Sequence, residues 1–496
     1  MIYSFLLPFA IFHLPCRPVF AEERPAAVAG QFYPADPAEL AQTVDRYLAQ
    51  APSHKLSGRL IALLVPHAGY EYSGALAAEG FKAIPGNYTT FVLLGTAHHV
   101  GLKGAGLIAH GTYRTPLGSV PIDEELAARL LRESSAFEER ADAQAAEHSI
   151  EVQLPFLQRR FHHFKIVPVV MNNEDPAAMR PVGEAIARAI KGKNILLVIS
   201  SDLSHYPPKD IARRADLTFL SALERLDPDY LALTAGMLVG RGETGLETSA
   251  CGLAALEAGV TAAVASGADR AMLLNYANSG EIVPATEGRA VGYGVAALLN
   301  SGHPTRKSFA LDEVSRTKLL KSARDSIAQP LGGQSFMSAP LADNSQLNLP
   351  AAVFVTLTEA GQLRGCIGTT VPQSDLPDAV RYFARQAAFE DPRFPPLEPR
   401  ELPKTHIEIS ILSSPESIPD AGAIVPRKHG VIVRRNSHTG LFLPTVWEQL
   451  PDKTDFLSEL CAQKAGLPRD CWKDPAVKLQ VFTSEVFGEP EPPKGR

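Results

Sequence analysis

The sequence predicts two successive folded regions: an α/β region on a mostly parallel sheet, then an α+β region with an antiparallel sheet. Three observations predict this. Up to about residue 300, short apolar runs alternate with segments of helical period, the pattern of strands buried on both faces and connected by helices. Beyond residue 311 the apolar runs are separated by short gaps that suit hairpins rather than crossovers. Between them, 301–311 carries Gly, Pro, Ser and basic residues with no apolar period, as linkers do.

In the first region the strands are expected at 59–65, 90–96, 164–171, 194–201, 271–278 and 290–298. Helices are expected at 38–50, 74–84, 123–133, 149–161, 176–191, 208–226 and 251–258, with Pro207-Pro208 opening one of them, where proline is tolerated. The second region opens with a helix at 312–328. A hairpin of 351–358 and 362–367 turns around Glu359-Ala360-Gly361, followed by a helix at 376–389, a strand at 405–412 and a hairpin at 430–443. A helix at 453–465 and a strand at 477–487 close it. The resulting division is 1–23 as a signal peptide or tail, 24–300 and 312–488 as the two domains, and 489–496 as a Pro-rich tail.

Composition excludes several classes. Of the 496 residues 45 % are apolar and 21 % charged, which is globular and neither disordered nor coiled-coil. A net charge of −6 argues against a nucleic-acid binder, which needs a basic surface. Past residue 21 no apolar run is long enough to span a bilayer. Five cysteines in so long a chain are not a disulfide framework, and Cys461 and Cys471 read as structural. Motifs for phosphate-binding loops, dinucleotide folds, zinc proteases and radical SAM clusters are absent. Residues 2–15 are apolar and Val19-Phe20-Ala21 fits a cleavage site, yet no Lys or Arg precedes the run. A thiolate metal ligand suits a reducing compartment, so the cytoplasm is the expected location, with export through an atypical signal as the alternative.

The histidines carry the functional signal. His67 (VPHAGY), His98 and His99 (GTAHH), and Asp202 and His205 (SSDLSH) each follow a predicted strand. In a parallel sheet these loops leave one carboxyl edge, where open α/β sheets build ligand sites. His148 opens a helix between Glu147 and Glu151, and Cys251 stands at the start of another, where the helix dipole favours a thiolate. A thiolate with neutral imidazoles suits one divalent first-row metal: iron, zinc or copper.

The segments RPAAVAGQFYPAD, VPHAGYEYSG, LGTAHH, YRTPLGSVPID, EHSIEVQLPF, SSDLSHY and SACG, in this order, resemble the Memo family. That resemblance implies a layered fold like that of the class III extradiol dioxygenases, with His67, His98 and Cys251 as metal ligands and iron as the favoured ion. It casts His205 as the general acid–base, His148 as the next candidate and Asp202 as an orienting carboxylate, with Tyr70, Tyr72 and His99 lining the pocket. Cys251 stands where the dioxygenases place a glutamate, which separates this site from theirs. In the second region LRGCIGT, AAFEDPRFPPL, HIEISIL, KHGVIVRRN, GLFLPTVW and KAGLP resemble the AMMECR1 family, with Cys366 and Arg364 as the candidate site. Together the two resemble components B and A of the AmmeMemoRadiSam system joined in one chain, which implies a radical SAM partner and a small-molecule or protein substrate. The expected function is a nonheme-metal oxidoreductase. Its rivals are a non-catalytic iron- or copper-binding interaction module and a metal-assisted hydrolase.

Overall fold

The computed structural model describes residues 23–86, 88–303, 308–329, 340–436 and 438–490. The expected signal segment, the central linker residues 304–307 and the tail from 491 lie outside the described residues.

Four strands form the centre of an eight-stranded sheet: Arg59–Val65, Ile195–Ser200, Thr90–Thr96 and Lys165–Met171, in that spatial order and all parallel. Their Val, Leu and Ile side chains are nearly all buried because helices cover both faces. Helices Pro37–Gln50 and Pro176–Ile190 begin on the N-caps Asp36 and Asp175, each followed by a proline at the first helical position.

The sheet is mixed rather than mostly parallel. Strands Arg270–Asn278 and Gly292–Asn300 pair antiparallel with each other, and the second pairs antiparallel with Arg59–Val65. The connection between them holds the one-turn helix Ser279–Ile282, roughly 6 Å long, and the single 3-10 turn Pro284–Thr286, too short to carry the chain back along a strand for a crossover. On the other side Ala105–Leu107 runs antiparallel to Lys165–Met171. The helix after Cys251 runs Leu253–Ala265, past the expected end at 258. Gly259 does not break it: a Cβ there would lie 2.5 Å from Ile199 Cδ1, so the glycine lets helix and strand approach. Helix Pro228–Gly240, capped by Asp227, was not foreseen, because its face is apolar almost all round.

The second region has two four-stranded antiparallel sheets, in which the expected 477–487 strand divides at Thr483 into Lys478–Phe482 and Ser484–Gly488, one in each sheet. Ala360 (φ 49°) and Gly361 (φ 79°) make the hairpin turn after Ala352–Glu359. A separate apolar cluster centres on Trp447 stacked on Phe456 at 3.7 Å. Cys461 and Cys471 are structural, as expected, and additionally form a disulfide with Cα atoms 6.0 Å apart inside that cluster. Among the described residues no helix is long and apolar enough to cross a membrane.

Candidate metal centre

The parallel core delivers its loops to one edge, and hydrogen bonds between them fix the site. Asp202, after strand Ile195–Ser200, accepts from the backbone N–H of His67 at 2.7 Å, and its carbonyl accepts from the N–H of Cys251. Thr96 Oγ1 donates to the Cys251 carbonyl, and Ser201 Oγ accepts from the N–H of Gly252. A Cβ on Gly252 would lie 2.7 Å from the Ser201 side chain, so the loop closes here only with glycine.

His67, only 2 % exposed, sits at the centre. Its Nδ1 is 3.1 Å from Ser200 Oγ. That hydroxyl gives its one proton to the Ser149 carbonyl at 2.6 Å, so His67 Nδ1 must carry the hydrogen and donate it. His67 Nε2 therefore presents a lone pair, and Cys251 Sγ lies 3.0 Å from it, donating its thiol proton. His98 is held likewise: its Nδ1 donates to Glu147 Oε1 at 2.9 Å. The His98 and His148 rings stack at 4.5 Å, and each meets His67 edge-on at 5.3 Å. The ligand nitrogens of His67, His98 and His148 lie within 4.8 Å of one another, so this cluster, buried at His67 and open at His98, could hold a metal ion. His99, Glu147 and His148 form a second such grouping on the exposed side.

Burial keeps His67, His148 and His205 neutral. Burial, then the neighbouring His148 and His98, hold His67 well below its usual range. Burial lowers His148 and His205 to about 4 each. Burial raises Asp202 to about 7 against the N–H groups of His67 and Ala68. Burial would raise Glu147, but the His98 ring and surrounding N–H donors outweigh it and keep the carboxylate ionised. Cys251 departs from the expectation of a dipole-lowered thiol: burial and the nearby Asp202 push it well up. Desolvation of an anion outweighs the helix terminus here, and a bound cation would reverse that balance.

The residues proposed from sequence divide. His67, His98 and His148 come together, while Cys251 reaches His67 at 3.0 Å and is not one of the three residues whose donor atoms all lie within 4.8 Å of one another. His205 lies close by, its Nε2 buried and without a hydrogen-bond partner, and its loop is held between Thr248 and Val291. His99 is exposed beside His98. Tyr70 does not offer a free hydroxyl to the pocket: it is 5 % exposed and donates to the Val152 carbonyl. Tyr72 is half-buried. In the second region Arg364 does not serve Cys366; it pairs with Glu401 at 2.9 Å. Arg393 instead holds the Cys366 carbonyl at 3.0 Å, while Asp391 accepts the Cys366 N–H at 2.8 Å and Thr356 Oγ1 lies 3.3 Å from the thiol. The Arg364-Gly-Cys366 proximity in sequence pointed to the wrong cation because alternate strand residues share a face but not a partner.

Sequence reasoning did not assign Glu151 a role. It is fully buried and accepts from Arg24, the N–H groups of Ala27 and Val28, and Tyr33 Oη. This pins the segment that lays Phe32 against the His148 ring at 4.5 Å. The sequence signal was the unbroken acidic pair around His148.

An α/β sheet with imidazoles gathered at its carboxyl edge defines a class of domain whose side-chain cluster could hold a metal ion. The family model described as Memo-like protein matches residues 24–297, and that described as AMMECR1 matches 320–487. The chain belongs to the Memo-like family and carries an AMMECR1 domain behind the Memo-like one. A MEMO1 family protein of Methanopyrus kandleri is 38 % identical over 290 residues, covering 55 % of this chain and 97 % of that protein. One from Aquifex aeolicus is 37 % identical, covering 52 % and 92 %. A solved protein structure from Pyrococcus horikoshii is 34 % identical over 38 % of this chain and 97 % of its own, with a TM-score of 0.35.

Proposed function

We propose that the Memo-like domain is a nonheme-metal oxidoreductase, dioxygenase-like in its site, with one first-row ion, iron favoured, held by His67, His98 and Cys251. The observation that carries the reading is the thiol proton of Cys251 directed at the His67 Nε2 lone pair across 3.0 Å. Two donors that share a proton can share a cation in its place, and the donor set of two imidazoles and a thiolate fits such an ion. When bound, the ion would supply Lewis acidity and one-electron chemistry toward substrate.

The chain's own residues do the rest. Ser200 and Glu147 fix the tautomers of His67 and His98 and aim their free nitrogens inward. His205, neutral and with its Nε2 unbonded, accepts a proton from a substrate hydroxyl and later returns it. Asp202 orients the His67 loop. His148 is the alternative proton carrier, its ring packed between His98 and Phe32. The AMMECR1 domain presents or receives the substrate, and in a cytoplasmic chain a radical SAM enzyme is the partner.

The experiment is His205→Ala on the anaerobically isolated, metal-loaded chain, with oxygen uptake and metal content measured together over catechol-type probes. Loss of turnover with metal retained supports the reading; indifference of every readout overturns it. One observation favours a second reading, a metal-holding interaction module. The donor nitrogens of His67, His98 and His148 lie within 4.8 Å of one another and Cys251 Sγ is 3.0 Å from His67 Nε2; an ion that took all four would have a closed shell, which suits holding rather than catalysis. A chain that keeps its metal and never turns over any probe would decide for it.

The Cys461–Cys471 disulfide supports the export alternative over the cytoplasmic one, because structural disulfides persist in oxidising compartments. N-terminal sequencing of the native protein decides: a mature start at Glu22 supports export and removes the radical SAM partner, a start at Met1 restores both cytoplasm and partner.

A further inference from the structure

The face made by helices Lys209–Leu223 and Pro228–Gly240 does not meet the second region as one bead meets another on a string. We propose that this face is a docking surface for an AMMECR1-type domain, and that the two regions hold each other without their covalent tether. A free AMMECR1-type domain is the partner it fits.

Buried polar contacts of high specificity cross the junction. Arg241, at the end of Pro228–Gly240, pairs with Asp375, and each side chain is 6 % exposed. Asp375 is also the N-cap of helix Leu376–Phe389, accepting from the N–H of Asp378, so the ion pair locks a helix start of one region onto a helix end of the other. Tyr230 Oη donates to the Pro350 carbonyl at 2.7 Å, and Pro350 forms an isolated bridge with Asp375. Asn348 Nδ2 donates to Thr218 Oγ1 at 3.1 Å, also in the interior.

An apolar centre and a polar rim surround these contacts. Phe309, Leu311, Leu347 and Leu349 are buried in the core that continues through Leu223 and Leu231, and the Arg225 guanidinium lies over the Phe309 ring at 4.6 Å. The rim holds Ser221 against Ser345 at 2.8 Å and the exposed pair Arg214–Asp343 at 2.8 Å. This is the anatomy of a specific protein interface, with a desolvated middle and a wet edge. A buried ion pair contributes little net stability but penalises a wrong partner, because without Asp375 the buried Arg241 would fall back on the looser pairing with Glu243 at 3.6 Å. The linker then acts by raising effective concentration, not by creating the contact.

The test uses the full chain with a protease site placed at residues 304–307. After cleavage the two halves are expected to co-elute at micromolar concentration. Asp375→Lys in the cleaved chain should weaken their association about 100-fold or more. The exchanged pair Arg241→Asp with Asp375→Arg should restore part of it. Should Asp375→Lys fail to fold, Tyr230→Phe, which keeps the ring and removes one hydrogen bond, is read instead and should weaken association about 3- to 10-fold. Halves that separate on cleavage, or a readable variant whose halves associate with an unchanged dissociation constant, overturn the proposal.

Discussion

Replacing Glu147 by Gln should loosen metal binding without removing any proposed ligand. Glu147 Oε1 accepts from His98 Nδ1 at 2.9 Å and from the N–H groups of His148 and Ser149 at 2.8 Å each, while Oε2 accepts from the His98 N–H at 2.7 Å. A glutamine has one acceptor oxygen. Its best placement puts that oxygen at the Oε1 position and turns its NH₂ toward the His98 N–H, donor against donor. The reverse placement loses three bonds, so the first is adopted. His98 keeps its tautomer but loses the negative charge that raises its basicity and one of two bonds that hold its loop. Loss of a partner of this kind costs roughly 10- to 100-fold in metal affinity, or about 1.4–2.8 kcal/mol. The assay is anaerobic competition for zinc or cobalt against a chelator of known affinity, with thermal unfolding measured alongside. A dissociation constant within about twofold of the parent, in a folded variant, would refute the role given to Glu147.

Other perturbations follow from the same geometry. Glu257, fully buried, has both carboxylate oxygens without a partner, and burial raises it to about 8. The folded chain therefore holds this proton between about pH 4.5 and 8 while the unfolded chain does not, so stability falls as pH rises through that window. Glu257→Gln cannot ionise and should escape the fall: from pH 5 to pH 9, urea titration should shift in its favour by up to about 4 kcal/mol. An unchanged difference between parent and variant would mean that Glu257 finds a partner or water. Glu151→Gln should destabilise the chain by about 3–5 kcal/mol, because it leaves Arg24 charged and uncompensated in the interior; equilibrium unfolding checks it. Arg24→Met combined with Glu151→Gln should recover much of that loss, and failure to do so would place the cost elsewhere.

Much of this was legible in the sequence for one reason: strands buried on both faces are written as unbroken apolar runs, so their ends are marked. The loops bearing His67, His98 and His205 could be assigned to one edge once the runs before them were read as parallel. Cys251 announced itself at a helix start. What remained hidden depends on contacts rather than period. His148 enters the cluster from an irregular turn before the short helix Leu154–Arg160, and no spacing signals that its ring stacks on His98. The Ser200 hydroxyl that sets the His67 tautomer looks like any strand-end serine. The helix expected to end at 258 continues through Gly259, whose close approach to Ile199 is tertiary and leaves no mark in the period. Strand Gly292–Asn300, which runs against the parallel core, has the same apolar composition as the core strands, so its direction could come only from the connection before it. The disulfide joins cysteines ten positions apart, and sequence separation alone carries no distance.

X-ray absorption on the zinc-loaded full chain, with zinc counted per polypeptide, probes the proposed coordination directly. One zinc per chain with a single sulfur neighbour at about 2.3 Å and nitrogen neighbours at about 2.0–2.1 Å is the predicted result. A first shell without sulfur, or zinc below one per chain, would contradict the sharing of one ion by Cys251, His67 and His98.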